Sequence, residues 1–195
     1  MLSKEFTQVS NVLVELGYIT AADSSAAVTA SGQLLRHLHS ENALLLAEGI
    51  QQNVFEDLNP AELAAAVSSL VFEPRREEAE AVPRLKSEAA ATAIKKLNEI
   101  FLGLREIEAR NRVNTVTKPE LGFSWAIFLW VEGKPLNRIL QVADMSAGDF
   151  VRTSRRLVDV LEQLASVSNT GVQNSARAAV SAIRRGIVDT EDQPN

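Results

Sequence analysis

The sequence predicts an all-α fold, a multi-helix bundle of roughly six to eight helices joined by short connections. Three observations predict it. Apolar residues recur three and four positions apart along most of the chain. Helix-start residues stand directly before several of those stripes, and strand-like alternation is nearly absent. With 195 residues, 46% of them apolar, the chain is long enough to bury a sizeable core.

The first stripe is Phe6, Val9, Leu13 and Leu16, a helix over residues 3–16 that Gly17 stops by taking the left-handed conformation. Tyr18-Ile19-Thr20 and Ala27-Val28-Thr29 flank a polar turn and read as a small hairpin. Ser31 is the expected cap of a short helix over 32–38, and Ser40 of the next, with Leu44, Leu45 and Ile50 buried. Asn59-Pro60-Ala61-Glu62 is a strong start signal for a helix over 60–72: a capping Asn, Pro at the first helical position and Glu at the third. That helix carries Ala64, Ala65, Ala66, Ser68 and Ser69, small side chains that let a neighbouring helix approach closely. Residues 74–83, charged and bounded by Pro74 and Pro83, read as an exposed loop.

A long helix is expected over 84–112, with Ile94, Leu97, Phe101 and Leu104 as its stripe and Ile100 and Ile107 widening it. Pro119 opens a helix to Trp130, and Pro135 a short one to Val142. Ser146 caps a helix over 147–167, and Asn169-Thr170-Gly171 separates it from a last helix over 172–187. The polar tail 189–195 reads as disordered.

Several chemistries are excluded. There is no cysteine, hence no disulfide, thiolate metal site or cysteine nucleophile. No GxxxxGK[ST] or GxGxxG phosphate loop is present, and Gly133-Lys134 is followed by Pro135, which lacks the amide a phosphate needs. His37 and His39 are the only histidines, and their i, i+2 spacing points them to different sides of a helix. No catalytic constellation emerges. No apolar run approaches the ~20 residues of a membrane span, and the start has no signal-peptide pattern, so no membrane partner and a cytoplasmic location are expected.

The formal net charge of −5 argues against a strong autonomous nucleic-acid binder. The charge is uneven, however: residues 134–188 hold 8 basic and 4 acidic residues, whereas residues 1–110 hold 10 and 16. The helix over 147–167 holds three of the eight basic residues, Arg152, Arg155 and Arg156. Phe150, Leu157, Leu161 and Leu164 form its apolar face, Thr153 and Ser154 fill gaps, and Arg152 and Arg156, four apart, project elsewhere. Asp159 is placed to offset their repulsion by pairing with Arg155 or Arg156. Two readings follow from the pattern: a solvated face of a packed helix, or guanidiniums presented to phosphates and base planes.

The wording of that helix carries a resemblance. Asp144–Arg152 followed by Arg155-Arg156-Leu157-Val158-Asp159-Val160-Leu161-Glu162-Gln163 resembles the ratchet helix of the DSHCT domain. That helical domain ends the HelY-type superfamily 2 helicases of actinobacteria and the eukaryotic exosome-associated RNA helicases. Other pieces follow in order. They are Ser31–Arg36 with Ser40-Glu41, Phe55–Ala64 with Leu70–Glu73, Trp130 with Gly133, Leu136 and Ile139-Leu140, and Ile183–Val188. The resemblance runs from about residue 28 to 188. Gly148-Asp149-Phe150-Val151-Arg152 is similar to the actinobacterial branch.

The resemblance implies a division into the tail of a winged-helix region (1–27, its helix and hairpin), the DSHCT-like domain (28–188) and the tail (189–195), with Met1 inside a longer enzyme. It implies a role in closing an RNA channel, single-stranded RNA passing along the ratchet-like helix. Arg152 and Arg156 are the implied RNA contacts, Arg155 a weaker one, and Glu106 or Arg110 a secondary contact from the long preceding helix. No cofactor is implied for this chain; ATP and Mg²⁺ would bind ATPase domains of the same polypeptide, which are the implied partners beside single-stranded RNA and RNA-degradation machinery. Two other functions remain open on the residues: a stand-alone helical adaptor that binds proteins, and a winged-helix regulator with a helical dimerisation domain, motivated by the hairpin.

Overall fold

The computed structural model describes residues 2–74 and 84–189. Nine α-helices run through them: α1 Leu2–Glu15, α2 Ala30–Arg36, α3 Ala43–Gln51, α4 Pro60–Ser68, α5 Glu88–Arg110, α6 Ser124–Val131, α7 Leu136–Ala143, α8 Ala147–Val167 and α9 Thr170–Ile183. Of the loop expected over 74–83 and the tail expected over 189–195, residues 75–83 and 190–195 lie outside the described residues. Among the described residues the fold is all-helical, and the segment expected as a hairpin pairs through a single antiparallel bridge, Ile19 to Val28.

Helix α4 is the hub. Its start signal works as read: Asn59 Oδ1 accepts from Glu62 N at 2.9 Å and Glu62 Oε2 accepts from Asn59 N at 2.9 Å. Every residue from Leu63 to Ser68 is buried, and the helix packs against α5, α6, α8 and α9. Its small side chains let α6 come close enough for Ser124 Oγ to donate to the Ala65 carbonyl at 3.0 Å and to lie 3.3 Å from Ser68 Oγ. The buried hydroxyls are tolerated because each has an acceptor: Ser68 Oγ and Ser69 Oγ donate to the Ala65 and Ala66 carbonyls of their own helix, and Ser124 Oγ donates across the contact.

Several boundaries differ from the sequence-based expectation, each for a local reason. The cap of α2 is Thr29, not Ser31: Thr29 Oγ1 accepts from Gly32 N at 3.1 Å and donates to the Gly17 carbonyl at 2.6 Å, joining α1 to α2. Ser40 does not cap α3. Its Oγ accepts from Asn42 N at 3.3 Å, and Asn42 is drawn into the core, where it accepts from Thr117 N and donates to Thr117 O. On α3, Leu45 is buried as expected and Leu46 with it, whereas Leu44 and Ile50 are half-buried. Helix α5 starts at Glu88 because Ser87 Oγ accepts from Ala90 N. Residues after Pro119 do not enter α6 directly. Glu120 N donates to the Ser69 carbonyl at 2.9 Å, a 3₁₀ turn Leu121–Phe123 follows, and α6 begins at Ser124. Helix α9 starts two residues early, capped by Asn169, and ends at Ile183.

On α1 the expected stripe is only half used. Val12 is buried and Leu13 and Leu16 pack on the core, while Phe6 and Val9 are exposed. Glu15 ties the end of α1 to α5, bonding the Arg110 guanidinium and accepting from Asn111 Nδ2 at 3.2 Å. That guanidinium holds the Glu15 carboxyl below its usual range.

A candidate nucleic-acid interface on helix α8

Helix α8 begins with a two-way cap: Ser146 Oγ accepts from Asp149 N at 3.1 Å and donates to Asp149 Oδ2 at 2.7 Å. Its inner face is Phe150, Leu157, Leu161 and Leu164, all fully buried, as the spacing predicts, with Val158, Val160 and Ala165 beside them. Buried Ser154 sits on the same face. Phe150 lies 5.5 Å from Phe123 and 5.2 Å, edge-on, from Trp130, ring centre to ring centre. Edge and tilted geometries of this kind each add about 1 kcal/mol beyond area burial. The first half of α8 therefore rests on an aromatic platform rather than on flexible aliphatics.

A cation closes that platform. The Arg185 guanidinium stacks 3.4 Å above the centre of the Trp130 ring and donates to the carbonyls of Trp130, at 2.7 Å, and Lys134, at 2.9 Å. Trp130 Nε1 donates to the Ile183 carbonyl at 2.9 Å. Burial pulls the Arg185 guanidinium down from its usual range. The chain turn after α9 is thus locked to the end of α6, and Gly133 (φ +84°) provides the left-handed turn between α6 and α7. Sequence reasoning singled out Trp130, Gly133 and the 183–188 segment but not the stack that joins them; an arginine distant in the chain carries no local sign of its ring partner.

The solvent face of α8 reads Gly148, Arg152, Arg155, Asp159, Glu162 and Ser166, spaced four, three, four, three and four apart. Its charge changes sign along the helix, from arginines in the first half to carboxylates in the second. Arg152, 68% exposed in its side chain, pairs with Asp149 at 3.2 Å one turn earlier. Arg155 is exposed on the same face. Arg156 sits on the flank, half-buried, with Glu41 Oε2 at 3.8 Å and Glu73 Oε1 at 3.5 Å. Its carboxylate contacts come from other segments rather than from Asp159 on its own helix. Arg184 at the end of α9 pairs with Glu162 at 2.7 Å.

The secondary pair sits on α5, which like α8 packs on α4. Glu106 is exposed on the rim of an open cleft of about 730 Å³ between α1, α3 and α5, and Arg110, on the same rim, is engaged by Glu15. Among the described residues no group of three or more His, Asp or Glu gathers to hold a metal ion, and His37 Nδ1 meets the Gln33 carbonyl at 2.7 Å. No helix among them is long and apolar enough to cross a membrane.

The chain is 32% identical to the probable helicase HelY of Mycobacterium leprae over 96% of its own length and 22% of that protein's. Against HelY of Mycobacterium tuberculosis the identity is 31%, with the same coverage. It is 28% identical to the ATP-dependent RNA helicase mtr4 of Schizosaccharomyces pombe, over 94% of this chain and 17% of the helicase. The chain therefore spans about a fifth of the length of the curated relatives it matches. The model of one family, the DSHCT (NUC185) domain, matches residues 25–191, and with most of its length so covered the chain belongs to the DSHCT family.

Proposed function

We propose that this chain is the C-terminal helical domain of an ATP-dependent RNA helicase and that it holds single-stranded RNA along α8 between translocation steps. One observation carries the reading: the exposed face of α8 presents Arg152 and Arg155 to solvent, with Arg156 one turn from Arg152, on a helix seated on buried aromatics. A rigid seat matters because a strand gripped by a yielding helix would not be held in register. Guanidiniums bind phosphate by charge and stack on base planes without sequence preference, at roughly 1–3 kcal/mol per base. The relatives named as RNA helicases supply the class of ligand.

ATP and Mg²⁺ belong, on this reading, to ATPase domains of the same polypeptide, and their movement drives the strand while α8 supplies friction. RNA-degradation machinery and a cytoplasmic setting accompany the reading. Of the secondary contacts, Glu106 is open to solvent, and Arg110 must leave Glu15 to reach a strand. The net charge of −5 accords with a division of labour in which most phosphate binding lies elsewhere in the polypeptide.

The test is made in the complete helicase. Arg152→Ala with Arg156→Ala is expected to uncouple unwinding from ATP hydrolysis: strand separation falls while ATPase activity and thermal stability persist. Unchanged unwinding removes both arginines from the RNA path. A second reading, a helical adaptor for proteins, is favoured by the exposure of Phe6 (71%) and Leu102 (55%). It expects Phe6→Ser with Leu102→Ser to abolish a protein contact and leave unwinding intact.

A further inference from the structure

Arg156, a proposed RNA contact, meets charges from two other segments of the fold. Glu41 lies in the turn before α3, Glu73 follows α4, and both reach the same guanidinium nitrogen, Nη2, at 3.8 and 3.5 Å. Neither carboxylate is placed by a loose side chain alone. Next to Glu41, Asn42 is 2% exposed and clamps both backbone groups of Thr117. Next to Glu73, Phe72 stacks on Phe123 at 6.0 Å between ring centres. Phe72 also lies over Gly122, where an added Cβ would come within 2.5 Å of the ring. The two acids are thus delivered by anchored backbone to a guanidinium on an anchored helix.

We propose that Glu41 and Glu73 form an internal carboxylate seat for Arg156 that competes with RNA phosphate, so that the grip of α8 on a strand is kept weak and readily released. This rests on the RNA-holding reading of α8. The physical basis is competition for a single cation. A phosphate approaching Arg156 at Nη2 must displace two carboxylates, and one approaching the rest of the guanidinium lies close to their charge. All three side chains are partly exposed, with 40% for Arg156, 83% for Glu41 and 67% for Glu73, so each contact is weak and exchanges readily with an incoming anion. Arg152 has a carboxylate neighbour only one turn away on its own helix, whereas the Arg156 seat depends on α3, α4 and α8 keeping their relative places. A strand held by a motor domain must be bound and then let go at each step, and a seat that recaptures the arginine favours letting go.

The experiment measures binding of a fluorescent oligouridylate of ~10 nucleotides to the 195-residue chain at low salt. Four proteins are compared: the unaltered chain, Glu41→Gln with Glu73→Gln, Arg156→Ala, and the triple variant. Arg152→Ala serves as the control for the RNA-facing reading. The Gln pair is expected to bind roughly fivefold more tightly than the unaltered chain, from weak exposed pairs removed. In the Arg156→Ala background the same Gln pair is expected to change binding by less than about twofold. Equal tightening in both backgrounds overturns the seat, because the acids would then act by general repulsion rather than through Arg156. No tightening in either background also overturns it, while loss of binding in Arg152→Ala leaves the RNA-facing reading standing. Absence of binding, or binding indifferent to Arg152→Ala and Arg156→Ala alike, overturns the RNA-facing reading and the seat with it.

Discussion

Glu108→Gln is the substitution with the largest expected consequence for the smallest change in shape. Glu108 is fully buried near the end of α5. Its two oxygens receive four donors: Thr115 N at 3.1 and 3.2 Å, Val116 N at 3.2 and 3.3 Å, the Thr115 hydroxyl, and Arg105 Nη1 at 3.3 Å. A carboxylate suits this site because it accepts at both oxygens and donates at neither. Glutamine keeps the volume but replaces one acceptor by an NH₂ that faces N–H and O–H groups. A hydrogen bond to a charged group contributes about 1.5–3 kcal/mol, and the carboxamide leaves one to two of these unmade. The Arg105 pair is left out of the sum, because that side chain is 36% exposed and solvent screens it. The expected loss is therefore about 3 kcal/mol. For a domain of this size each kcal/mol moves Tm by about 2–4 °C, so the drop should be roughly 6–12 °C. Urea unfolding followed by helical circular dichroism reads the first quantity and a thermal melt the second. A loss under about 1 kcal/mol would refute the reasoning, showing that water or a shifted backbone satisfies the 115–116 amides without the charge.

Two further outcomes are expected. Tyr18 is the only tyrosine; burial first, then its bond to Glu48 Oε1 at 2.6 Å, pushes its phenol well above the ordinary value of 10.0. A raised acid pKa in the folded state means stability complete below about pH 10 and falling as pH rises further. Near-ultraviolet absorbance in an alkaline titration should therefore show no phenolate until the helical signal is lost; ionisation near pH 10 in folded protein would contradict it. Gly32→Ala places a Cβ 2.1 Å from the Tyr18 carbonyl oxygen, so the bridge segment must move from α2, at a cost of about 1–3 kcal/mol. A melt unchanged from the unaltered chain would show that the contact yields freely.

Much of this protein was determined by its sequence alone. Asn59-Pro60-Ala61-Glu62 and Ser146-Ala147-Gly148-Asp149 carry their helix starts within four residues, and the spacing of Phe150, Leu157, Leu161 and Leu164 decides which face of α8 is buried. Capping and periodicity act over one or two turns, so a linear reading captures them. The family wording around Arg152 is legible for the same reason: it is a contiguous helical segment.

What only the tertiary structure decided is pairing across long separations. Asn42 stands before α3 without capping it because Thr117 offers its side chain two partners, and Thr29 caps α2 while also holding Gly17. The Arg185–Trp130 stack and the four donors on Glu108 depend on where chain turns bring distant or loop-borne groups together. Arg156 is the decisive case for the interface. Its i, i+4 spacing from Arg152 is visible in the sequence, but the acids that meet it, Glu41 and Glu73, lie more than eighty residues earlier in the chain. The side-chain period of a helix fixes which direction a residue points. Which charge it meets there is settled by the packing of α3, α4 and α8, and no local pattern encodes it.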